Sequence, residues 1–468
     1  MLKLRVNIST WISNCSTALV KVITPDRLTI YPITILAISV TSWITSQCLG
    51  KGLLDASGCI IGSDFLAFYN AGKIYLMGQL DNIYNINDQI VFQKSITYPY
   101  WSDNFSPFIN PPFIAIFFSL FSHHNYIFGL ILWWLFGLCL FLATTKIIKY
   151  ELRSLNLYNT YQLMHIAFLF PPTWLWFIYG QNTSISLFLY TVGYLLLRRG
   201  KDFYAGLFLG LLIYKPQLGI GITCLLLFKS RFSAVAGTIL SAGICVAVCF
   251  AASKAATIKY LEIAPSLMDI IRLHGIGIGY PTWGVHSFFG FSSLLLDSIS
   301  VTLANWTTCL LTIAGISFIF FISLNRKWDP PSRKWDTLLA STFAVGLLIS
   351  PHLFSYDLML LLLPLAIIWN HYPKGGNNKP LDGEIILSAS FLLFIFCFIG
   401  GILSKAQLEI LRLLGLADIA VQISTFVIFG WAYTVITYGQ LHPNTEPQQK
   451  QINRTTQKTK DESLYPLM

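Results

Sequence analysis

Charge is what this sequence has least of. Of its 468 residues only 11% are Asp, Glu, Lys or Arg, against 54% hydrophobic, and the mean hydropathy is +0.62. A chain so poor in charge cannot clothe a globule in a water-soluble surface, which excludes an ordinary soluble domain and points to many membrane crossings. Signatures are missing too: there is no phosphate-cradling glycine loop, dinucleotide fingerprint, HExxH or DxD pattern. Chemistry on a nucleotide-activated substrate therefore loses its usual handle. The nine cysteines show no CxxC or metal-type spacing, and seven fall in apolar runs, where a thiol behaves as a small hydrophobe. Cys48 and Cys59 lie near one expected membrane face, where a disulfide stays open.

What charge there is marks topology. Cutting the chain at its apolar runs leaves 22 of the 31 Lys and Arg in one set of connectors and 8 in the other, with Lys215 apart. The positive-inside rule makes the richer set cytoplasmic. The net charge of +10 is then an orientation signal, and no basic domain is left to grip nucleic acid. The runs fall near 29–49, 126–146, 162–179, 183–198, 203–214, 217–229, 232–252, 302–324, 336–350, 355–371, 385–403 and 415–438. These predict an all-α polytopic membrane protein of about twelve crossings with both termini cytoplasmic. The first run reads as an uncleaved signal anchor, because the polar stretch before it is too long for a signal peptide. Residues 1–438 form one transmembrane domain with external loops at about 50–125 and 253–301, and 439–468 is a disordered cytoplasmic tail.

Two runs are too short for what the charges ask of them. Residues 203–229 sit between basic clusters at 198–201 and 229–231, so the run must be a hairpin of half-length helices broken at Lys215-Pro216-Gln217. The same logic makes 336–371 a hairpin with its apex at Ser350-Pro351-His352. Broken helices are tolerated where they line a protein cavity. The stretch 110–122, opened by Pro111-Pro112, is read as a helix lying against or dipping into the outer face.

Several residues could carry chemistry. Asp64, close behind the first span in Gly62-Ser63-Asp64-Phe65, leads an amphipathic-looking segment with Phe65, Phe68, Tyr69 and Ile74. It is placed to act as a general base, and the plainer reading is a helix-capping carboxylate. Lys215, flanked by Tyr214 and Pro216 in an apolar run, is costly unless it meets an anion or snorkels to headgroups. His352 and Asp357, with Tyr356 between them, could bind phosphate or orient a hydroxyl, or be surface His and capping Asp. Gln181 and Asn182 in a tight turn, and Trp283 and His286 in the second loop, carry the same two readings. Tyr98, Tyr100, Trp101, Trp174, Trp176, Tyr280 and Trp283 cluster at the predicted outer edge, as an aromatic belt or as stacking surfaces for sugar rings.

Taken in order, Asp64-Phe65, Tyr84, Pro111-Pro112-Phe113, Gly180-Gln181-Asn182, Ala205-Gly206 through Lys215-Pro216-Gln217, and Ser350-Pro351-His352 through Tyr356-Asp357 resemble glycosyltransferase family 87, within the GT-C superfamily of polytopic enzymes. The resemblance covers about residues 60–370. It implies a GT-C-like fold and an inverting transfer of a sugar, mannose, from a polyprenyl-phosphate donor to a glycan or glycolipid acceptor at the outer face of a bacterial-type plasma membrane. It further implies Asp64 as the base, and Lys215 and His352 beside the donor phosphate. Tyr69, Gln181, Asn182, Trp283, His286, Tyr356 and Asp357 remain candidate substrate contacts. No cofactor is expected, and a metal ion stays open. A lipid-linked glycan flippase, or a membrane glycan polymerase or ligase, is the alternative; the absence of repeated halves counts against the flippase.

Overall fold

The computed structural model describes residues 25–100, 105–266, 281–324, 326–371, 381–416 and 418–439. Trp101, Tyr280 and the tail beyond residue 439 lie outside these. Among the described residues the chain is helical, with three isolated β-bridges and no strand.

The chain opens with helix α1 (Pro25–Leu49), then α2 (Ser63–Leu76), α3 (Ile86–Thr97) and α4 (Pro112–Ser122). There follow α5 (Tyr126–Glu151), α6 (Thr160–Phe168), α7 (Pro171–Tyr179) and α8 (Thr183–Arg198). Next come α9 (Asp202–Gly210), α10 (Pro216–Phe228), α11 (Phe232–Ala252) and α12 (Lys254–Ile263). The last third holds α13 (Phe288–Leu296), α14 (Val301–Leu324), α15 (Arg333–Ile349), α16 (Leu362–Trp369), α17 (Leu381–Leu413) and α18 (Ile423–Tyr438). Among the described residues four helices, α5, α11, α14 and α17, are long and apolar enough to cross a membrane. The other expected crossings are shorter apolar helices or broken ones.

The helical chain breaks at both places where the prolines put it, though α9 packs chiefly on α11 and α10 on α15. Helix α9 tightens into a 3₁₀ turn at Leu211–Tyr214, Lys215 is non-helical at φ −134°, and α10 restarts with Pro216 at its first position. In the second hairpin α15 ends at Ile349, and residues 350–356 run without helix to a 3₁₀ turn at Asp357–Leu361 that leads into α16. The Pro111-Pro112 pair starts α4 in the same way.

Four expectations need correction. The 162–179 run is two nine-residue helices, because Pro171-Pro172 holds Phe170 extended (ψ 112°) and ends α6. The segment 404–414, which separates the last two expected runs, continues α17. It holds strong helix formers and meets no breaker until Gly415, whose φ of 67° stops the helix. The α2 segment is not amphipathic at a surface: Phe65 through Gly72 and Ile74 are buried between α4 and α5. Trp176, placed at the outer edge by position, is 3% exposed and packs on Phe141 in the core. Tyr98 and Tyr100 are exposed, as a belt or stacking role requires. Neither Cys48 nor Cys59 is in a disulfide.

The far end of α8 is fastened by a buried charge cluster. Asp336, with no exposed surface, accepts from Tyr194 Oη at 2.7 Å and from Arg198 Nη1 at 2.8 Å, and meets His371 Nε2 at 2.7 Å. One carboxylate thus ties α8, α15 and the end of α16 together. Removing one partner of a buried pair strands the other, at about 3–5 kcal/mol. Asp336→Ala is therefore expected to lower the thermal midpoint of the purified protein in detergent by about 3–5 °C, and an unchanged midpoint would refute the anchoring role.

Candidate active site

Two left-handed glycines set the geometry of the site. Gly62 (φ 67°) precedes α2, and Gly180 (φ 66°) ends α7. A Cβ on Gly180 would sit 2.8 Å from Phe65 Cβ and 3.7 Å from Gly62 Cα, so the two turns touch backbone to backbone. Helix α5 clamps both. Tyr126 Oη donates to Ile61 O at 2.6 Å, and Trp133 Nε1 donates to Gly180 O at 2.8 Å. Phe65 anchors the start of α2 between these rings, 5.7 Å from Tyr126 and 6.4 Å from Trp133.

Meeting turns bring Gln181 to Asp64: Gln181 Nε2 donates to Asp64 Oδ2 at 2.9 Å. Asp64 shows one edge to a cavity of about 350 Å³ and is enclosed by protein elsewhere. That enclosure raises its carboxyl from the ordinary 3.8 to about 6. The Gln181 hydrogen bond and the Lys215 charge pull it down, while Asp357 pushes it up. A carboxylate held there is mostly ionised at neutral pH and more basic than a free one.

The same cavity is lined by Lys215, His352 and Gln217, and by Ser106, Asn110 and Tyr260. Lys215 is 6% exposed and does not snorkel. Its Nζ turns onto Asp357 Oδ1 at 3.1 Å and lies 5.8 Å from the Tyr356 ring centroid. Thr183 Oγ1 donates to the same Asp357 oxygen at 2.8 Å, which fixes the carboxylate behind the lysine. Burial pushes the His352 imidazole down to about 4, so it is neutral at physiological pH. Asn182 is buried beneath the turn; its carbonyl accepts from Tyr214 Oη at 3.2 Å, and it does not line the cavity.

Other candidates lie elsewhere. Tyr69 is five positions from Asp64, about 140° round the helix. Its hydroxyl donates to His124 O at 2.7 Å, and its ring lines a separate depression with Asn125 and Tyr126. His286 is wholly buried, with Nδ1 2.6 Å from Ser424 Oγ and Nε2 2.8 Å from Ser355 Oγ. It ties the second loop to the 350–356 segment, and burial holds it neutral by pushing it down to about 3. Trp283 gives its carbonyl to Gln422 and carries the Lys405 ammonium 5.3 Å from its ring centroid, away from the cavity. Tyr356 stands behind Lys215, 5.8 Å from Phe354. Sequence reasoning missed Thr183, Tyr260, Tyr126 and Trp133. Only Thr183, next to the Gln181-Asn182 pair, carried a signal by position. Among the described residues no three His, Cys, Asp or Glu side chains gather as a metal site.

A model of glycosyltransferase family 87 matches residues 108–351. The chain belongs to glycosyltransferase family 87. It is accordingly a glycosyltransferase, and with its long apolar helices a membrane protein. No curated protein and no solved structure matches it. The family 87 segment contains Gln181 and Lys215; Asp64 precedes it, and His352 and Asp357 follow directly after its end.

Proposed function

We propose that this family 87 enzyme transfers a sugar, mannose, from a polyprenyl-phosphate donor to a hydroxyl of a glycan or glycolipid acceptor, with inversion, at the outer face of a bacterial-type plasma membrane. The carrying observation is that Asp64 and Lys215, from distant parts of the chain, line one cavity. A base and a cation sharing one cavity suit a single displacement. Asp64 takes the proton of the acceptor hydroxyl as its oxygen attacks the anomeric carbon. The bond from that carbon to the phosphate oxygen breaks, its electron pair stays on phosphate, and Lys215 meets the growing charge. Neutral His352 beside Lys215 offers a further hydrogen bond to the phosphate. The membrane-buried position of the enzyme fits a donor carried by a lipid, and the lack of a DxD pattern fits one without a nucleotide.

The test is a donor panel. Purified protein is given labelled polyprenyl-phosphate-mannose or labelled nucleotide-mannose, with a lipid extract of its host as acceptor. Label is expected to leave only the lipid-linked donor and to appear in a new lipid or glycan. Transfer from the nucleotide donor by the purified protein would sink the donor assignment.

A further inference from the structure

The ammonium of Lys215 has a counter-charge at its back. Asp357 has no exposed surface and does not line the cavity, whereas Lys215 does. From depth to opening the order is Thr183, Asp357, Lys215 and then free volume, with contacts of 2.8 Å and 3.1 Å converging on Asp357 Oδ1. The other carboxylate oxygen, Oδ2, is buried and makes no hydrogen bond among the described residues. An ion pair taken this far from water is often no more stabilising than an apolar pair of the same size. Its retention calls for a reason in the chemistry.

We propose that Asp357 is a positioning and charge-compensating residue, which aims Lys215 into the cavity and loosens its hold on the leaving phosphate so that the product departs. The inference rests on the polyprenyl-phosphate reading above. The donor is a phosphodiester with one negative charge. Once the sugar has left, the phosphate monoester carries close to two at neutral pH. A phosphate oxygen accepting a second proton of the tetrahedral ammonium would stand roughly 5 Å from Asp357 Oδ1. Repulsion at that range is worth roughly tenfold or more in affinity per unit charge, so it falls about twice as hard, in free energy, on product as on donor.

Asp357→Asn isolates the charge, because the carboxamide oxygen still accepts from Thr183 and Lys215. With the full chain and farnesyl phosphate as the product probe, the inhibition constant is expected to fall by roughly a hundredfold and the donor KM by roughly tenfold. The acid limb of activity should also move below its native midpoint near 6, since Asp64 loses a repelling carboxylate while Lys215, Tyr126 and Tyr179 still face it. Asp357→Ala removes the acceptor as well and should weaken both ligands. Thr183→Val keeps the charge but frees the carboxylate, and should lower turnover without tightening product. Identical behaviour of the Asn and Ala variants, or a native ratio of product to donor affinity in Asp357→Asn, overturns the inference. If native protein binds no farnesyl phosphate, the donor reading falls and takes the inference with it; if native binds and Asp357→Asn changes nothing, only the inference falls.

Discussion

Asp64→Asn is expected to cut sugar transfer by about 10²–10⁴-fold, the usual contribution of a positioned general base, while donor binding stays within twofold of native. Asn is nearly isosteric and still accepts the 2.9 Å hydrogen bond from Gln181, so the turn geometry survives and only the proton acceptor is lost. Titration gives an independent check on the native enzyme. The base works ionised and its carboxyl is raised to about 6, so activity should rise with pH through that value and level off above 7. The same shift has a stability side. A carboxyl raised from 3.8 to about 6 on folding favours the native state most below 3.8 and loses that advantage as pH climbs through 6. At pH 7 the ionised group costs up to about 3 kcal/mol relative to its neutral form, reduced by its contact with the cavity. Asp64→Asn should therefore melt higher than native at pH 7, by less at pH 4. A variant both inactive and less stable at neutral pH would mark Asp64 as structural.

Lys215→Gln should weaken donor binding by roughly 10- to 150-fold, the worth of a charge-assisted hydrogen bond, with acceptor affinity unchanged. The substitution also strands Asp357, whose loss of partner destabilises the fold independently of any ligand. Separating the two effects takes a pair of variants. Lys215→Gln with Asp357→Asn removes the stranded charge and should recover most of the lost thermal stability, while its donor affinity stays well below that of Asp357→Asn alone. Equal loss of donor and acceptor affinity in the doubly substituted protein would show that Lys215 supports the cavity wall and does not touch the phosphate.

Much of this was legible in the residues because a membrane enforces simple rules. Basic clusters flanking short apolar runs required hairpins, and Pro216 and Pro351 mark breaks in the helical chain at Lys215 and at 350–356. Those breaks deliver Lys215 and His352 to the cavity holding Asp64. The sequence was silent where a side chain's role depends on a backbone group far along the chain. Nothing local says that Tyr126 reaches Ile61 O or that Trp133 reaches Gly180 O, yet these bonds place the base. Trp283 and His286 look like site residues for the same reason in reverse. Their polar partners come from residues 355 and 405–424, distant in sequence, and they draw these groups into the scaffold. Proline in 162–179 was visible, but apolar composition alone reads straight across it.

Helix α8 is bolted at both ends to one hairpin, through Thr183 and Asp357 at the cavity and through Arg198 and Asp336 some two dozen ångströms away, about sixteen residues of helix. Such a doubly pinned beam cannot slide along its neighbour without breaking a buried charge contact. The jaw of the cavity that carries Lys215's counter-charge is thus a fixed one. Adaptation to a different sugar or acceptor, in descent or in the laboratory, has its freedom elsewhere in the lining, at Ser106, Asn110 and Tyr260, which join no buried ion pair among the described residues.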